Sequence, residues 1–271
     1  MKTTCKWMTA AILLLCGAAS LKAQTEPERA QAFFSVREMP NLVNILPAPP
    51  DSIVHKFTYD IAQYMWGKEM RRDPVRGPLA VEDAEYSLEY MIKAFKEPFG
   101  MTISFEETPE IYRVLRDAFD TANNMGTVPK FRYMRRRPFM VFNEPTATPD
   151  REPSLRRNGS FPSGHTIAGW LTALVLMEIN PGAAEAIMAR GYTYGESRVI
   201  VGAHWQSDVD AGYLAASIAY AKIHTSDRYL EQIAKARNEY KRLTGQVVEE
   251  PARNARAARR AQRTQARART N

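Results

Sequence analysis

Cysteine is almost absent: the 271 residues contain two, Cys5 and Cys16. Both fall within the first 23 residues, so the rest of the chain can build no disulfide framework, thiolate nucleophile or thiolate metal site. Long hydrophobic runs are also missing. Past the first 23 residues the most apolar helical stretch, Ile167–Ile179, has 13 residues and includes Glu178, short of the roughly 20 residues a membrane span needs. Strand-like alternation is scarce and no internal repeat is found, which argues against sheet-based and solenoid architectures. The body of the chain also lacks a basic excess. The formal charge is +7, yet residues 1–23 carry three lysines and residues 251–271 seven arginines, with no acid in either segment. Without these two segments, +7 becomes about −3 for residues 24–250, so the charge does not argue for a specific nucleic-acid partner.

The two ends read differently from the body. Met1–Ala23 carries Lys2 and Lys6, then an apolar centre over Ala10–Leu15, then small residues at Ala18-Ala19-Ser20 or Ala23. This is the pattern of a secretory leader and predicts export. Leu15 stands where a lipoprotein site needs a small residue before its cysteine, which argues against lipidation of Cys16. Residues 24–245 form the expected domain. Residues 246–271, rich in Ala and Arg with no apolar stripe, read as a disordered, solvated tail. A sharper reading is weak adhesion of those arginines to an anionic envelope surface.

Between the ends, helical periodicity dominates and predicts an all-α, single-domain bundle. Asn41–Pro50 is apolar but proline-rich and reads as an extended strap. Helices are expected from Asp51 (as cap) to about Arg71, then over Leu79–Phe95, Pro109–Asn123, Pro129–Arg136 and Ser163–Ile179. Others follow over Pro181 to about Val201 with Asn180 as cap, His204–His224 and Asp227–Leu243. Thr108-Pro109-Glu110 combines a cap, a first-position proline and an acid in the first turn. Residues Phe139–Asn158 are irregular and suit either a lid or specificity loop, or a plain connector.

Three segments carry chemistry. In Ser197-Arg198-x5-His204-x3-Asp208, a helix beginning near His204 places His204 and Asp208 one turn apart. The carboxylate can then hold the Nδ1 proton and leave Nε2 free as base or nucleophile. Alone, such a pair is more often a surface ion pair or a buried hydrogen bond. In Phe161-Pro162-Ser163-Gly164-His165-Thr166, Ser163 reads as an N-cap and Gly164 allows close backbone approach. The freed amides suit an anion, with His165 beside them as a proton donor. In Lys130-x6-Arg137-Pro138, the two cations share a face if the segment is helical, and Pro138 ends that helix.

In chain order these segments resemble the signature of the PAP2 superfamily: type 2 phosphatidic acid phosphatases, bacterial acid phosphatases and vanadium haloperoxidases. The runs Ile45–Ser52, Leu79–Ala84, Asn158–Thr166 and His204–Asp210 are similar to class A bacterial non-specific acid phosphatases, a resemblance covering about residues 40–245. It implies periplasmic, metal-independent hydrolysis of phosphomonoesters of broad specificity, without a cofactor, by a homo-oligomer and through a phosphohistidine. His204 is then the nucleophile, Asp208 holds its ring, and His165 is general acid and base. Lys130, Arg137 and Arg198 supply positive charge, and Ser163 with the Gly164 amide completes the phosphate cradle. Competing expectations are vanadate-dependent oxidation in the same pocket, phosphotransfer to an acceptor alcohol, and a non-catalytic anion-binding envelope protein. His165, His204 and Asp208 are possible zinc ligands, but three converging cations make a divalent ion unwelcome. Outside the signature, His55 and His224 read as structural or surface histidines, and Arg135 and Arg136 as solvated or paired. Trp205, Trp170 and Tyr133 read as core or pocket wall.

Overall fold

A computed structural model describes residues 30–50 and 55–247. The leader with both cysteines, the expected cap Asp51 and the arginines of the tail lie outside the described residues. In chain order the helices are α1 (His55–Met70), α2 (Arg76–Glu82), α3 (Leu88–Phe99), α4 (Pro109–Met125), α5 (Thr127–Tyr133) and α6 (Pro138–Phe142). They continue with α7 (Glu152–Leu155), α8 (Gly164–Ile179), α9 (Ala184–Ile200), α10 (Gln206–Ile223) and α11 (Asp227–Leu243). There is no strand among the described residues, as the periodicity predicts.

Helix α8 is the axis of the bundle. Ile167, Ala168, Leu171, Ala173, Val175 and Leu176 point to several sides of it and are all buried. A helix apolar all round has to sit inside, and α9, α10 and α4 surround it while α11 packs on α4 and α8. Helices α3, α4 and α11 are amphipathic by contrast. Helix α11 buries Tyr229, Ile233, Ala236 and Tyr240, spaced four, three and four residues apart along one stripe. Helix α10 approaches the first turn of α8 closely, because a Cβ on Gly212 would lie 2.7 Å from Thr166 Cβ. None of the described helices is long and apolar enough to cross a membrane.

Several boundaries differ from the sequence-based expectation. The helix expected over Leu79–Phe95 is two helices, α2 and α3. Asp83 is buried at the break and accepts hydrogen bonds from Tyr90 Oη, Ser197 Oγ and Arg190. Ser87 then starts α3, its hydroxyl accepting from the Tyr90 amide at 3.2 Å. A buried carboxylate with tertiary partners outweighs unbroken helical periodicity here. At α4, Pro109 and Glu110 occupy the first turn as expected, but Thr108 makes no side-chain cap bond. Glu239 of α11 caps instead, accepting from the Glu110 and Ile111 amides at 3.0 and 2.9 Å. Asn180 likewise does not cap through its side chain; its amide donates to Phe99 O at 3.1 Å. The strap over Asn41–Pro50 includes one 3-10 turn, Leu42–Asn44, with Leu42 buried.

Candidate active site

Helix α5 ends at Tyr133, earlier than its sequence suggests. Met134 adopts a left-handed conformation with φ 42°, and Arg137 lies in extended backbone as the residue preceding α6, whose first position is Pro138. Lys130 and Arg137 therefore do not share a helix face. Folding back of the chain brings them together on one acceptor: Lys130 Nζ and Arg137 Nη2 reach Gly159 O at 3.0 and 3.5 Å. Pro138 starts a helix rather than ending one, which suits its fixed φ and missing N–H. Leu155 O at 3.0 Å and Ala203 O at 2.9 Å hold the rest of the Arg137 guanidinium. Gly159 is required at this crossing, because a Cβ there would lie 2.5 Å from Lys130 O and 3.1 Å from Met134 Cα.

Ser163 caps α8 as its residue type predicts. Its Oγ accepts from the Thr166 amide at 3.3 Å and from Thr166 Oγ1 at 2.9 Å. The hydroxyl lies buried beneath the helix start, whereas Gly164 and His165 line the adjoining cavity. His165 directs Nε2 at Ala84 O, 3.2 Å away. A carbonyl only accepts, so the ring proton of the neutral form sits on Nε2 and Nδ1 is left to take or give a proton. The Tyr86 ring lies over His165 with centroids 4.5 Å apart.

His204 and Asp208 meet, but not as two turns of one helix. The first residue of α10 is Gln206, so His204 lies in the preceding turn and Asp208 in the first turn of the helix. Asp208 Oδ2 accepts from the Trp205 amide at 2.9 Å and makes a long 3.4 Å contact with His204 Nδ1. Arg137 Nη1 reaches His204 Nε2 at 2.9 Å. Arginine can only donate, so Nε2 is the acceptor and the ring proton belongs on Nδ1, facing Asp208. That tautomer keeps a lone pair on Nε2, on the side of the cations.

Lys130, Arg137, Gly164, His165, Arg198 and His204 all line one cavity of about 420 Å³. Arg198 is 2% exposed, yet its Nε and Nη1 have no hydrogen-bond partner among the described residues. Buried donors are nearly always satisfied, so two orphaned guanidinium donors facing a cavity mark a place for an anion. Burial, aided by neighbouring cations, lowers the titration of the two histidines and three cations that line this cavity. Burial and neighbouring Arg137 pull Lys130 down to about 7. Arg137 and Arg198 are brought down by burial to about 10 and stay charged. Burial, then Arg137, Lys130 and Arg198, hold His204 well below the usual imidazole range. For His165 the causes are burial, then Arg198 and His204. No group of three or more His, Cys, Asp or Glu side chains suited to a metal ion occurs among the described residues.

Arg135 is the residue that sequence reasoning undervalued. Of the two expectations for it, solvated or paired, the paired one holds: it donates to Asp208 Oδ1 at 2.6 Å, Asp60 Oδ2 at 2.7 Å, Ser207 Oγ at 2.8 Å and Pro50 O at 3.0 Å. Asp60 also accepts from the Ser207 amide and hydroxyl at 2.8 and 2.6 Å. Both carboxylates are completely buried, so the carboxylate behind His204 is fixed by a network reaching back to α1. The only sequence signal was its place between the two motif cations. Arg136, in contrast, is exposed and donates to Met140 O. His224 is structural, lying against Tyr220 O and Glu178, and His55 is exposed at the start of α1. Trp205 is core, donating to Arg136 O at 2.8 Å. Segment 139–158 is ordered into α6, a 3-10 turn and α7, and contributes Leu155 and Asn158 to the cavity wall.

Comparison with known proteins agrees with this geometry. The description of the PAP2 superfamily matches residues 120–229, which include every signature position from Lys130 to Asp208. The chain is 40% identical over 216 residues to a non-specific acid phosphatase of Salmonella typhimurium, covering 79% of this chain and 86% of that protein. A non-specific acid phosphatase of Providencia stuartii is 41% identical over 200 residues, covering 73% and 80% respectively. An acid phosphatase of Zymomonas mobilis is 31% identical over 232 residues, with 86% and 87% covered. With six of the signature residues lining one cavity and these relatives matched over most of their length, the chain belongs to the PAP2 superfamily as an acid phosphatase of the non-specific type.

Proposed function

We propose that the protein hydrolyses phosphomonoesters through a phosphohistidine on His204, without a metal ion, after export to the periplasm. The observation that carries this reading is the orphaned, buried Arg198 guanidinium beside Lys130, Arg137 and the acceptor nitrogen of His204. A phosphoryl group in transfer spreads charge over three equatorial oxygens, and fixed cations in a dry site stabilise that charge without reorganisation. The lone pair on His204 Nε2, freed as Arg137 Nη1 turns its hydrogen bond to a phosphoryl oxygen, forms the new P–N bond while the ester P–O bond breaks. His165 gives its Nδ1 proton to the departing oxygen, releasing a neutral alcohol. His165 then takes a proton from water as the water oxygen attacks phosphorus, and the P–N bond breaks to return His204 and free phosphate. Asp208 holds the Nδ1 proton of His204 through both steps.

The charge pattern supports work at acidic pH. Burial and the surrounding cations disfavour protonated His165, whereas a bound phosphate dianion offsets those cations and favours it. Lys130, brought down to about 7 by burial and Arg137, limits capture of the substrate dianion on the upper side.

The test is p-nitrophenyl phosphate hydrolysis by mature protein in EDTA between pH 4 and 8, with His204→Ala alongside. Rapid-quench labelling with a radioactive substrate should trap an alkali-stable, acid-labile phosphoenzyme in the wild type alone. Turnover that needs an added metal, or persists in His204→Ala, would overturn the mechanism.

A further inference from the structure

We infer that the cavity contains a leaving-group subsite selective for planar aromatic groups, so that aryl-type phosphomonoesters are held better than aliphatic ones of equal size. The inference rests on the phosphatase reading above and concerns the organic half of the substrate. His165 protonates the leaving oxygen, so whatever carries that oxygen must lie next to His165. The Tyr86 ring is already there, 4.5 Å from the imidazole and tilted by 44°, and it lines the same cavity.

Helix α5 contributes the other apolar surface. Phe131 and Met134 both line the cavity, yet they are 75% and 49% exposed. Met134 is displayed there by a backbone in the left-handed region, which a non-glycine residue adopts at a cost. The core therefore uses neither side chain. An aromatic leaving group would cover the Phe131 ring and meet the Tyr86 ring, gaining quadrupole contact that a saturated ring cannot make. Ala84, Ala122 and Gly126 add small uncharged surface to this side of the cavity, whose lining also includes Arg151 and Arg157.

Phosphonates separate binding from leaving-group reactivity. Calorimetry on the full mature chain would compare methylphosphonate, cyclohexylmethylphosphonate and benzylphosphonate, the last two sharing a carbon skeleton and differing in aromaticity and planarity. Benzylphosphonate should bind about 3- to 10-fold tighter than the cyclohexyl analogue. Phe131→Ala, a change at an exposed position, should bring that ratio below about 2-fold and leave the Kd of methylphosphonate unaltered. Equal affinity of the two ring compounds in the wild type would overturn the subsite, as would a ratio that survives Phe131→Ala. If methylphosphonate itself fails to bind, the phosphatase reading falls first, which is a distinct outcome.

Discussion

Replacing Arg135 by glutamine probes the network behind the nucleophile. The Arg135 side chain is 8% exposed and grips two carboxylates that are fully buried, Asp60 and Asp208. Removing one partner of a buried ion pair costs about 3–5 kcal/mol, because the other charge is left without compensation. The glutamine amide can return one hydrogen bond, worth about 1 kcal/mol, leaving a net loss of about 2–4 kcal/mol. In a domain of this size each kcal/mol lowers Tm by about 2–4 °C, so the melting temperature should fall by about 4–16 °C. Circular dichroism melts of Arg135→Gln, Asp60→Asn and the double variant would measure it. The double variant should lose at least about 1 kcal/mol less than the sum, since both changes break one network. Arg135 does not line the cavity, so well below each Tm kcat for p-nitrophenyl phosphate should fall with KM nearly constant, and Arg135→Lys should recover part of kcat. A Tm within about 2 °C of wild type, or strictly additive losses, would refute this account of Asp208.

Other consequences follow from the same site. Lys130 is lowered from 10.5 to about 7, so the unfolded chain binds more protons than the folded one between those values, and stability without anion should rise with pH through that window. Sulfate, which does not titrate in this range, should bind progressively less well above pH 7 as the ammonium is lost. Lys130→Met should flatten that dependence in a calorimetric titration. Gly159→Ala places a Cβ against two backbone atoms; a loss of about 1–3 kcal/mol in chemical denaturation is expected, together with weaker sulfate binding as Lys130 shifts. Ser163→Ala removes a cap bonded to Thr166 and should cost about 1 kcal/mol in the same denaturation experiment.

Local features of the chain were legible to differing degrees. The apolar run after Ser163 and the capping hydroxyl itself announced α8, because a cap and a periodic stripe are properties of neighbouring residues. The break at Asp83 was not legible, since nothing nearby reveals that Arg190 and Ser197, over 100 residues away, will hold that carboxylate. The same limit explains α4, where the capping group comes from Glu239 on another helix. Phe131 carried no signal either, because an exposed phenylalanine and a core one look alike in sequence.

The chemical groups of the site can be read from the order of residues alone: two histidines, three cations, a capping serine and the absence of cysteine ligands in the body. That order also determines the all-helical class, which follows from periodicity repeated in almost every segment. How those groups face one another is set by the folded chain. Lys130 and Arg137 converge on the Gly159 carbonyl, not along a helix face, and His204 meets Arg137 across 67 positions of chain. Arg135 changes from a charge in a basic run to the clamp on Asp208 for the same reason. Hydrogen bonds, desolvation and Coulomb attraction act across space with no regard to sequence separation, and here packing on α8 sets those distances.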